Sequence, residues 1–482
     1  MDPNRTTPRP KGLIAAIILL TFALGCLCLP STVNPSASPT RTRGPDTIAS
    51  PVPPLPTGAL NAEGPWLLME TREGLWAANP DGSGLTQLTD VDYWNGELLD
   101  AIQPGGNQIV FITPGNYDFR HMALSLMTLP DGQVSKITDL TSPETEAYAD
   151  SSPGGDGFEA LRAIGEQRSY AWSPDGTRLA FAGLMDGPSA EIYLYDAMTQ
   201  QIQRVSDDQA QNYSPSWSPD GNHLLYLGAE GFGTGAGYVM SGVWSAWGDG
   251  SNVTLLYEPD SGAEELIGWL DETTAVLDSW KMDCGSQDLR LYDVVTRQTA
   301  MLNAGCFTSA AADGLRGAAI FTSDSGLYVL TAEDRTPVRV SQDPVAWIDT
   351  VEPHDYVFSV HFEDGGIATY GTSDMDHLAS PVDAPTGAMD VAMYGLIWGW
   401  TSDDDAQPGA WISGPGVEIG QIFSDKARLP IWDPDNNLLF FALDAGYGYN
   451  IYRTTFDVFY RDLTMVAHIE AEILHVAWLG AP

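Results

Sequence analysis

The chain has 482 residues, of which 43% are hydrophobic, so it carries enough apolar material for a large core and is not a wholly disordered protein. It has 22 Lys and Arg against 64 Asp and Glu, a net charge of −42. This balance excludes nucleic-acid binding and electrostatic adhesion to anionic lipid, because both need clustered basic residues. The 49 Gly, 33 Pro and 15 Trp favour short strands and tight turns, and predict an all-β fold.

The N-terminus is typical of an export signal. Basic residues precede an apolar run at 13–24, which has the length of a signal-peptide core and is short for a membrane span. The segment Ala23-Leu24-Gly25-Cys26 resembles the lipobox of bacterial lipoproteins. The resemblance implies that residues 1–25 are a signal peptide and that Cys26 carries the lipid. A signal anchor that continues to Leu29 is the alternative.

Residues 26–61 are rich in Pro, Ser and Thr and are predicted to form an extended tether. The folded body, 62–482, would then lie outside the cytoplasm, attached through its lipid to the outer face of a bacterial cell membrane or cell envelope. Cys284 and Cys306 are the two cysteines of this body. They are expected to form a disulfide, as pairs of cysteines in exported domains commonly do.

A phrase of Trp, Ser, Pro, Asp and Gly recurs in the body. Two copies are complete and a third is close: Trp172, Pro174, Asp175 and Gly176; Trp217, Pro219, Asp220 and Gly221; Trp432, Pro434 and Asp435. We interpret each copy as a strand that ends at Trp, followed by a tight turn. In this turn Pro restricts φ, and Gly relieves the steric strain of the backbone at the last position. Three more strands follow in each copy. Four short antiparallel strands every 35–50 residues, roughly, are the unit of a β-propeller blade.

The repeat resembles the TolB-type, WD40-like Pro-Asp propeller repeat, and strand patterning extends the resemblance over 62–482. It implies a single β-propeller of four-stranded blades that acts as a non-catalytic scaffold. Nine candidate first strands end near Ile102, Trp172, Trp217, Trp269, Ala312, Trp347, Ala392, Trp432 and Trp478. Because propellers typically have four to eight blades, the sequence predicts eight, with seven as the alternative, and an irregular candidate within 305–345.

Both ends of the body predict how the ring closes. The segment 473–480 has the pattern of a first strand without a blade, and the residues from Trp66 onward have that of a blade without its first strand. Pairing the two would remove both exposed edges.

The segment 141–164 interrupts the repeat and predicts a long loop with a short helix at Phe158–Ile164. Long loops on rigid scaffolds often carry binding function, although a tolerated surface excursion is the alternative.

The sequence contains neither Gly-x-Ser-x-Gly nor His-Glu-x-x-His, so no catalytic residue is predicted. Acidic clusters at 374–376, 403–405 and 433–437 are candidate calcium ligands, but none has EF-hand spacing. No metal or cofactor is therefore predicted, with calcium left as an alternative.

The expected function is a monomeric, lipid-anchored propeller that binds an unidentified protein or other macromolecule and contacts the membrane through its lipid alone. Fold resemblance by itself does not name the partner. Two alternatives stay open: a propeller enzyme that acts on glycans, and a receptor for calcium or another solute.

Overall fold

A computed structural model gives the fold, and all the residues that it describes belong to one compact unit, Leu55–Pro482. It describes residues 57–89, 101–113, 121–151, 156–165, 169–231, 239–257, 264–281, 286–302, 309–323, 325–351, 357–363, 367–371, 382–383, 390–394, 397–403, 408–414, 417–433, 438–445, 448–455 and 463–479.

The described residues form nine antiparallel sheets, numbered here in chain order. Sheet 1 begins with β1 (Trp66–Thr71), β2 (Gly74–Ala78) and β3 (Thr86–Thr89). Sheet 2 has β4 (Gln108–Thr113), β5 (Ala123–Thr128) and β6 (Gln133–Asp139), and helices α1 (Pro143–Ser151) and α2 (Asp156–Gly165) follow it. Sheet 3 has β7 (Tyr170–Trp172), β8 (Arg178–Gly183), β9 (Glu191–Asp196) and β10 (Ile202–Arg204). Sheet 4 has β11 (Gln211–Trp217), β12 (His223–Gly231), β13 (Val239–Trp247) and β14 (Thr254–Tyr257).

The second half of the chain continues the same pattern. Sheet 5 has β15 (Glu264–Trp269), β16 (Thr274–Lys281), β17 (Ser286–Asp293) and β18 (Gln298–Met301). Sheet 6 has β19 (Ala310–Asp313), β20 (Ala318–Ser323), β21 (Gly326–Thr331) and β22 (Val338–Ser341). Sheet 7 has β23 (Val345–Val351), β24 (Val357–Phe362), β25 (Ile367–Gly371) and β26 (Val382–Asp383). Sheet 8 has β27 (Asp390–Tyr394), β28 (Ile397–Ser402), β29 (Gly409–Gly414) and β30 (Val417–Phe423). Sheet 9 has β31 (Ala427–Asp433), β32 (Leu438–Asp444), β33 (Tyr449–Thr455) and β34 (Thr464–Ile469), and the last strand is β35 (Ile473–Leu479).

The last strand completes the first sheet, as the sequence predicts. Strand β35 pairs with β1, so that Trp66 lies opposite Leu479 and Met69 opposite Val476. The order in sheet 1 is therefore β35-β1-β2-β3, and β35 holds the place that the first strand has in the other four-stranded sheets.

Each sheet contacts the next, and the contacts close a ring. The first strands of sheets 5 to 9 and sheet 1 contact one another in that order, as do those of sheets 3 and 4. Hydrogen bonds join the first strands of sheets 2 and 3 and of sheets 4 and 5. Between sheets 1 and 2, the backbone at Gly132 lies against Leu88. The first strands are therefore innermost, which confirms the predicted propeller of four-stranded blades.

The predicted number of eight blades is not confirmed. All nine candidate first strands belong to sheets of their own, eight of them four-stranded. The region 305–345, predicted to be irregular, instead forms the regular sheet 6. The irregular sheet is sheet 2, where β4–β6 pair in full and Ile102 makes a single bridge to Ile109.

Apolar layers fill the spaces between neighbouring sheets. Between sheets 9 and 1, for example, Leu67 and Met69 of β1 lie in one cluster with Phe440 and Trp478. The rings of Phe440 and Trp478 are 5.6 Å apart. Strands with a sheet packed on either side must be apolar on both faces, and all six residues of β1 are buried.

Because the strands alternate in direction, every sheet has two distinct ends. One end carries the turns between first and second strands and between third and fourth strands; we call it the turn face. The other end carries the loops between second and third strands and the segments that join successive sheets; we call it the insertion face, because α1 and α2 join sheets 2 and 3 there.

Candidate functional site

The helical insertion begins with a well-formed cap. The backbone N–H of Thr145 donates to Ser142 Oγ at 3.2 Å, and the N–H of Ser142 donates to Thr145 Oγ1 at 2.9 Å. Pro143 occupies the first helical position, where its fixed φ suits a helix and its missing N–H costs nothing. Helix α1 therefore starts at a defined point.

A buried carboxylate fastens α1 to the insertion face. Glu146 is only 7% exposed. Its Oε1 accepts the Thr141 hydroxyl at 2.6 Å and the backbone N–H of His121, and its Oε2 lies 3.2 Å from His121 Nδ1. Because His121 directly precedes β5, these contacts join α1 to sheet 2.

Helix α2 packs more deeply than α1. Its Ala160, Leu161, Ala163 and Ile164 are buried in the same apolar cluster as residues of sheets 2 to 5. The helix contacts β8 and β11, so it lies over the innermost strand of sheet 4. The predicted helix at 158–164 is confirmed and is longer, while α1 was not predicted. Its signal was present in the sequence as the cap Ser142-Pro143-Glu144-Thr145.

Below the insertion face, sheet 3 holds a carboxylate that is fully buried. Glu191 Oε1 accepts hydrogen bonds from Ser189 Oγ and Arg204 Nη2, both at 2.9 Å. Its Oε2 accepts from Ser206 Oγ and, at 3.2 Å, from Asn212 Nδ2. Burial raises the pKa of Glu191, although hydrogen bonds from Ser206 and Ser189 oppose the rise. The network joins sheets 3 and 4 and occupies both carboxylate oxygens.

Next to this network, sheet 4 contains a group of buried polar atoms that we call the polar niche. Its atoms are Asn212 Oδ1, Ser241 Oγ and Trp244 Nε1. A methyl group added at Gly228 would lie 2.6 Å from Ser241 Oγ, 3.1 Å from Asn212 Oδ1 and 3.2 Å from Trp244 Nε1, so the three atoms surround one point. Among the described residues, none of the three atoms has a hydrogen-bond partner. No sequence pattern pointed to this group.

The repeat tryptophans lie between sheets and act as structural residues. Trp172 Nε1 donates to Ala101 O of sheet 2 at 3.2 Å, and Trp217 Nε1 donates to Ala171 O of sheet 3 at 3.0 Å. Trp269 Nε1 donates to Ser216 Oγ of sheet 4 at 3.1 Å. Each acceptor belongs to the residue just before the corresponding repeat position, so each indole binds the preceding sheet in the same way.

The Ser-Pro-Asp-Gly turns of sheets 3 and 4 lie on the turn face and share the hydrogen bond from serine to aspartate. Ser173 Oγ donates to Asp175 Oδ1 at 2.6 Å, and Ser218 Oγ donates to Asp220 Oδ1 at 2.6 Å. Gly176 has a φ of +66°, and any side chain there would collide with Pro104 O of sheet 2. Pro174 in turn lies against Gly221, and Pro219 against Gly314. The predicted turn residues therefore build the ring and form no binding site.

Hydrogen bonding keeps the turn aspartates ionised. Burial of Asp175 favours its neutral form, but hydrogen bonds from Ser173 and Thr177 outweigh that effect and lower its pKa. Asp220 has a lowered pKa for the same combination of reasons, with Ser218 and Asn222 as donors. A lowered folded-state pKa means that ionised Asp stabilises the fold above the unfolded-state pKa, and that this stabilisation is lost as pH falls through the folded-state value.

We therefore expect Asp175→Asn to lower the melting temperature at pH 7 by a few degrees, because the neutral amide accepts hydrogen bonds more weakly than the carboxylate. The difference from the wild type should begin to shrink below about pH 4, where Asp175 of the unfolded chain takes up a proton, and should shrink further as pH falls through the lower folded-state pKa. Thermal unfolding followed between pH 7 and pH 3 measures both effects. A difference that stays constant across that range would show that the charge of Asp175 contributes nothing.

Several predicted residues lie outside the described residues: Cys26, Cys284, Cys306, Pro434, Asp435 and the acidic cluster 374–376. Trp432, by contrast, is described and is buried in sheet 9. In the part of the chain that is described, no group of three or more His, Cys, Asp or Glu is placed to hold a metal ion. Neither described helix is long and apolar enough to cross a membrane.

No family model matches the chain, and no curated protein matches it either. Among solved structures, the chain is similar to one described as a eukaryotic initiation factor, with 10% identity and a TM-score of 0.53. The match covers 87% of this chain and 99% of that one. At this identity the likeness shows the fold alone.

Weaker likenesses include TolB from Acinetobacter baumannii, with 14% identity over 74% of this chain and 79% of that one and a TM-score of 0.28. An oligogalacturonate lyase in complex with manganese has 13% identity over 74% of this chain and 99% of that one, with a TM-score of 0.34. Scores this low carry no argument about function. The repeat residues and the ring of sheets identify the fold. It is a β-propeller.

Proposed function

We propose that this propeller is an exported, lipid-anchored and non-catalytic scaffold that binds a protein or other macromolecule through α1 and α2 on its insertion face. The observation that carries the proposal is the way in which α1 is fixed. Its cap and Glu146 hold the helix in place, and its outward residues Pro143, Glu144 and Ala147 are exposed.

Such an arrangement favours binding because the helix is ordered before a partner arrives. A loop that must order on binding loses conformational entropy, which lowers the affinity. The cap of α1, the Glu146 contacts and the burial of α2 supply that order in the free protein. Binding loops on rigid scaffolds commonly combine these features.

The signal sequence and the charge of the chain support export and anchoring. The segment up to Cys26 resembles a lipoprotein signal, and the Pro-rich residues after it would link the lipid to the propeller. The strong negative charge favours solubility outside the cell.

The test is affinity purification of the tagged full-length protein from its own mildly solubilised membranes, with mass spectrometry of what is retained. The variant Ala147→Lys adds a long charged side chain at an exposed position of α1 without weakening the helix, since Lys is a good helix former. We expect a stoichiometric partner with the wild type and at least tenfold less of it with Ala147→Lys.

The matched control is Ser135→Lys, which adds the same charge at an exposed position of β6 and should retain the partner. A partner kept equally by both variants would place binding elsewhere on the molecule. A wild type that retains no partner would contradict the scaffold function itself. The same spectra test the anchor, because the mature chain should begin at a lipid-modified Cys26.

A further inference from the structure

The turn face carries exposed apolar side chains on several neighbouring sheets. Eleven large hydrophobic residues of the described chain are exposed. Ten lie in a turn of the turn face or within two residues of the strand end next to one: Val134, Met198, Ile202, Trp247, Val253, Leu255, Val295, Leu315, Val338 and Leu463. The exception is Met301, at the opposite end of β18. Exposed apolar side chains that lie together on one face are typical of contact surfaces.

Three of these residues occupy the same position in turns of the same design. In each turn an aspartate accepts hydrogen bonds from the backbone N–H groups two and three residues later. The aspartates are Asp196, Asp293 and Asp313. The residue two positions after the aspartate is the exposed apolar one: Met198 (85%), Val295 (58%) and Leu315 (61%). The aspartates thus fix apolar side chains at the turn tips, where solvent would favour polar residues.

These tips lie on neighbouring sheets. Met198 belongs to sheet 3, Trp247 to sheet 4, Val295 to sheet 5 and Leu315 to sheet 6; together we call them the apolar turn patch. The sheet-4 turn next to Trp247 lies against sheet 3, since a methyl group at Gly250 would be 3.1 Å from Leu194 Cδ1. The sheet-5 turn contacts sheet 4 through Arg297 Nη2 and Thr254 Oγ1, 3.4 Å apart.

The chain enters the propeller on this same face. Asn79, at the start of the turn between β2 and β3, accepts the backbone N–H of Asn61 at Oδ1 (2.8 Å) and donates from Nδ2 to Ala59 O (2.9 Å). The residues just before β1 are therefore held against a turn of the turn face. From Cys26 to Thr57 the chain has about 30 residues, which as the predicted extended, Pro-rich tether reach at most about 100 Å. A lipid on Cys26 would keep the turn face at high effective concentration beside the membrane.

We propose that the turn face lies on the lipid surface to which the chain is anchored, with the apolar turn patch in the headgroup region. This inference rests on the lipid anchor of the proposed function, and it adds a direct contact to the lipid. Trp suits such an interface because its ring is apolar and its N–H is polar. The contact depends on apolar burial, because a chain of net charge −42 is repelled by anionic lipid. Binding should therefore be stronger on phosphatidylcholine than on phosphatidylglycerol vesicles.

The test uses the full lipidated chain in phosphatidylcholine vesicles whose acyl chains carry bromine, which quenches nearby tryptophans. We expect the wild type to be quenched and Trp247→Phe to be quenched less, because Trp247 is 54% exposed, whereas the repeat tryptophans next to the turn face in the same sheets, Trp172, Trp217 and Trp269, are buried. In the wild type, amide exchange in 196–200 and 293–297 should slow at least threefold on vesicles. In a variant with Met198, Trp247, Val295 and Leu315 all changed to Ser, that slowing should disappear.

The matched control is Met301→Ser, which removes an exposed apolar side chain away from the turn face and should behave as the wild type. Equal quenching in Trp247→Phe and the wild type, or equal amide exchange with and without vesicles, would overturn the inference and leave the anchor standing. Slowing that depends on protein concentration would overturn it in favour of a second copy of the chain. A chain that washes off membranes without detergent would overturn the anchor and this inference together.

Discussion

Deletion of residues 473–482 is expected to unfold the propeller. Without β35, the inner edge of β1 is unpaired, Trp478 leaves the core between sheets 9 and 1, and Leu479 leaves the core that sheet 1 shares with sheets 2 to 5. Truncating one buried Trp or Leu costs about 2–5 kcal/mol. The total should therefore approach the 5–15 kcal/mol by which a typical domain is stable. We expect no cooperative thermal transition, measured by circular dichroism and by tryptophan fluorescence.

The comparison for this deletion is His475→Ala within the same strand. His475 Nδ1 lies 2.8 Å from Glu70 Oε2 of β1, but about half of the histidine side chain is exposed. Because Glu70 is buried, the loss of this partner leaves its carboxyl group with one hydrogen bond fewer, which costs about 1–3 kcal/mol. This variant should therefore still melt cooperatively, at a moderately lower temperature than the wild type. A truncated chain that melted as cooperatively as His475→Ala would show that the ring does not depend on its closing strand.

The second large effect is expected at Trp172. Phe in its place keeps most of the apolar contact but removes the donor, which leaves the buried Ala101 carbonyl without the indole. An unsatisfied buried acceptor costs about 1–3 kcal/mol. Ala in its place also leaves a cavity and should cost about 3–5 kcal/mol. Chemical denaturation at equilibrium measures both values.

Trp478 offers a matched control for the hydrogen bond. It occupies the same repeat position and is equally buried, yet its Nε1 has no hydrogen-bond partner within the described ranges. Trp478→Phe should therefore be clearly milder than Trp172→Phe, while the two Ala variants should be similar. Equal losses for the two Phe variants would mean that the ring contacts, and not the N–H groups, join the sheets.

The sequence predicts the parts of this fold that depend on short-range patterns. A Trp followed by Pro-Asp-Gly specifies a strand and a turn, since Pro and Gly restrict those positions by their own geometry. The pairing of β35 with β1 was also predictable, because an incomplete unit at each end leaves one arrangement that satisfies both edges. Helix α2 was predictable from the apolar residues on one of its sides.

Other features depend on contacts between distant residues. The sequence offered nine first strands, but the typical range of propellers favoured eight, and no local pattern shows which sheet will be incomplete. Among the described residues, which exclude 90–100, Ile102 pairs with Ile109 in a single bridge. The Glu191 network and the polar niche are assembled from β9, β11 and β13 and the segments beside them. Patterns in a single sequence do not reveal contacts between residues that are distant along the chain. The candidate site was therefore predicted only as far as the insertion at 141–164.

The hydrogen bonds that the repeat tryptophans Trp172, Trp217 and Trp269 donate between sheets all have the same direction along the chain. Each runs from one sheet to the sheet before it. Contacts of this head-to-tail kind resemble the heterologous interfaces of subunit rings, in which the rotation per step decides how many units close the circle. A ring of the nine sheets found among the described residues would have a step of about 40°, and a tenth sheet would change each step by only about 4°. The number of sheets in the ring therefore depends on a small rotation at every interface between neighbouring sheets. Duplication of one repeat would change each of these rotations only slightly.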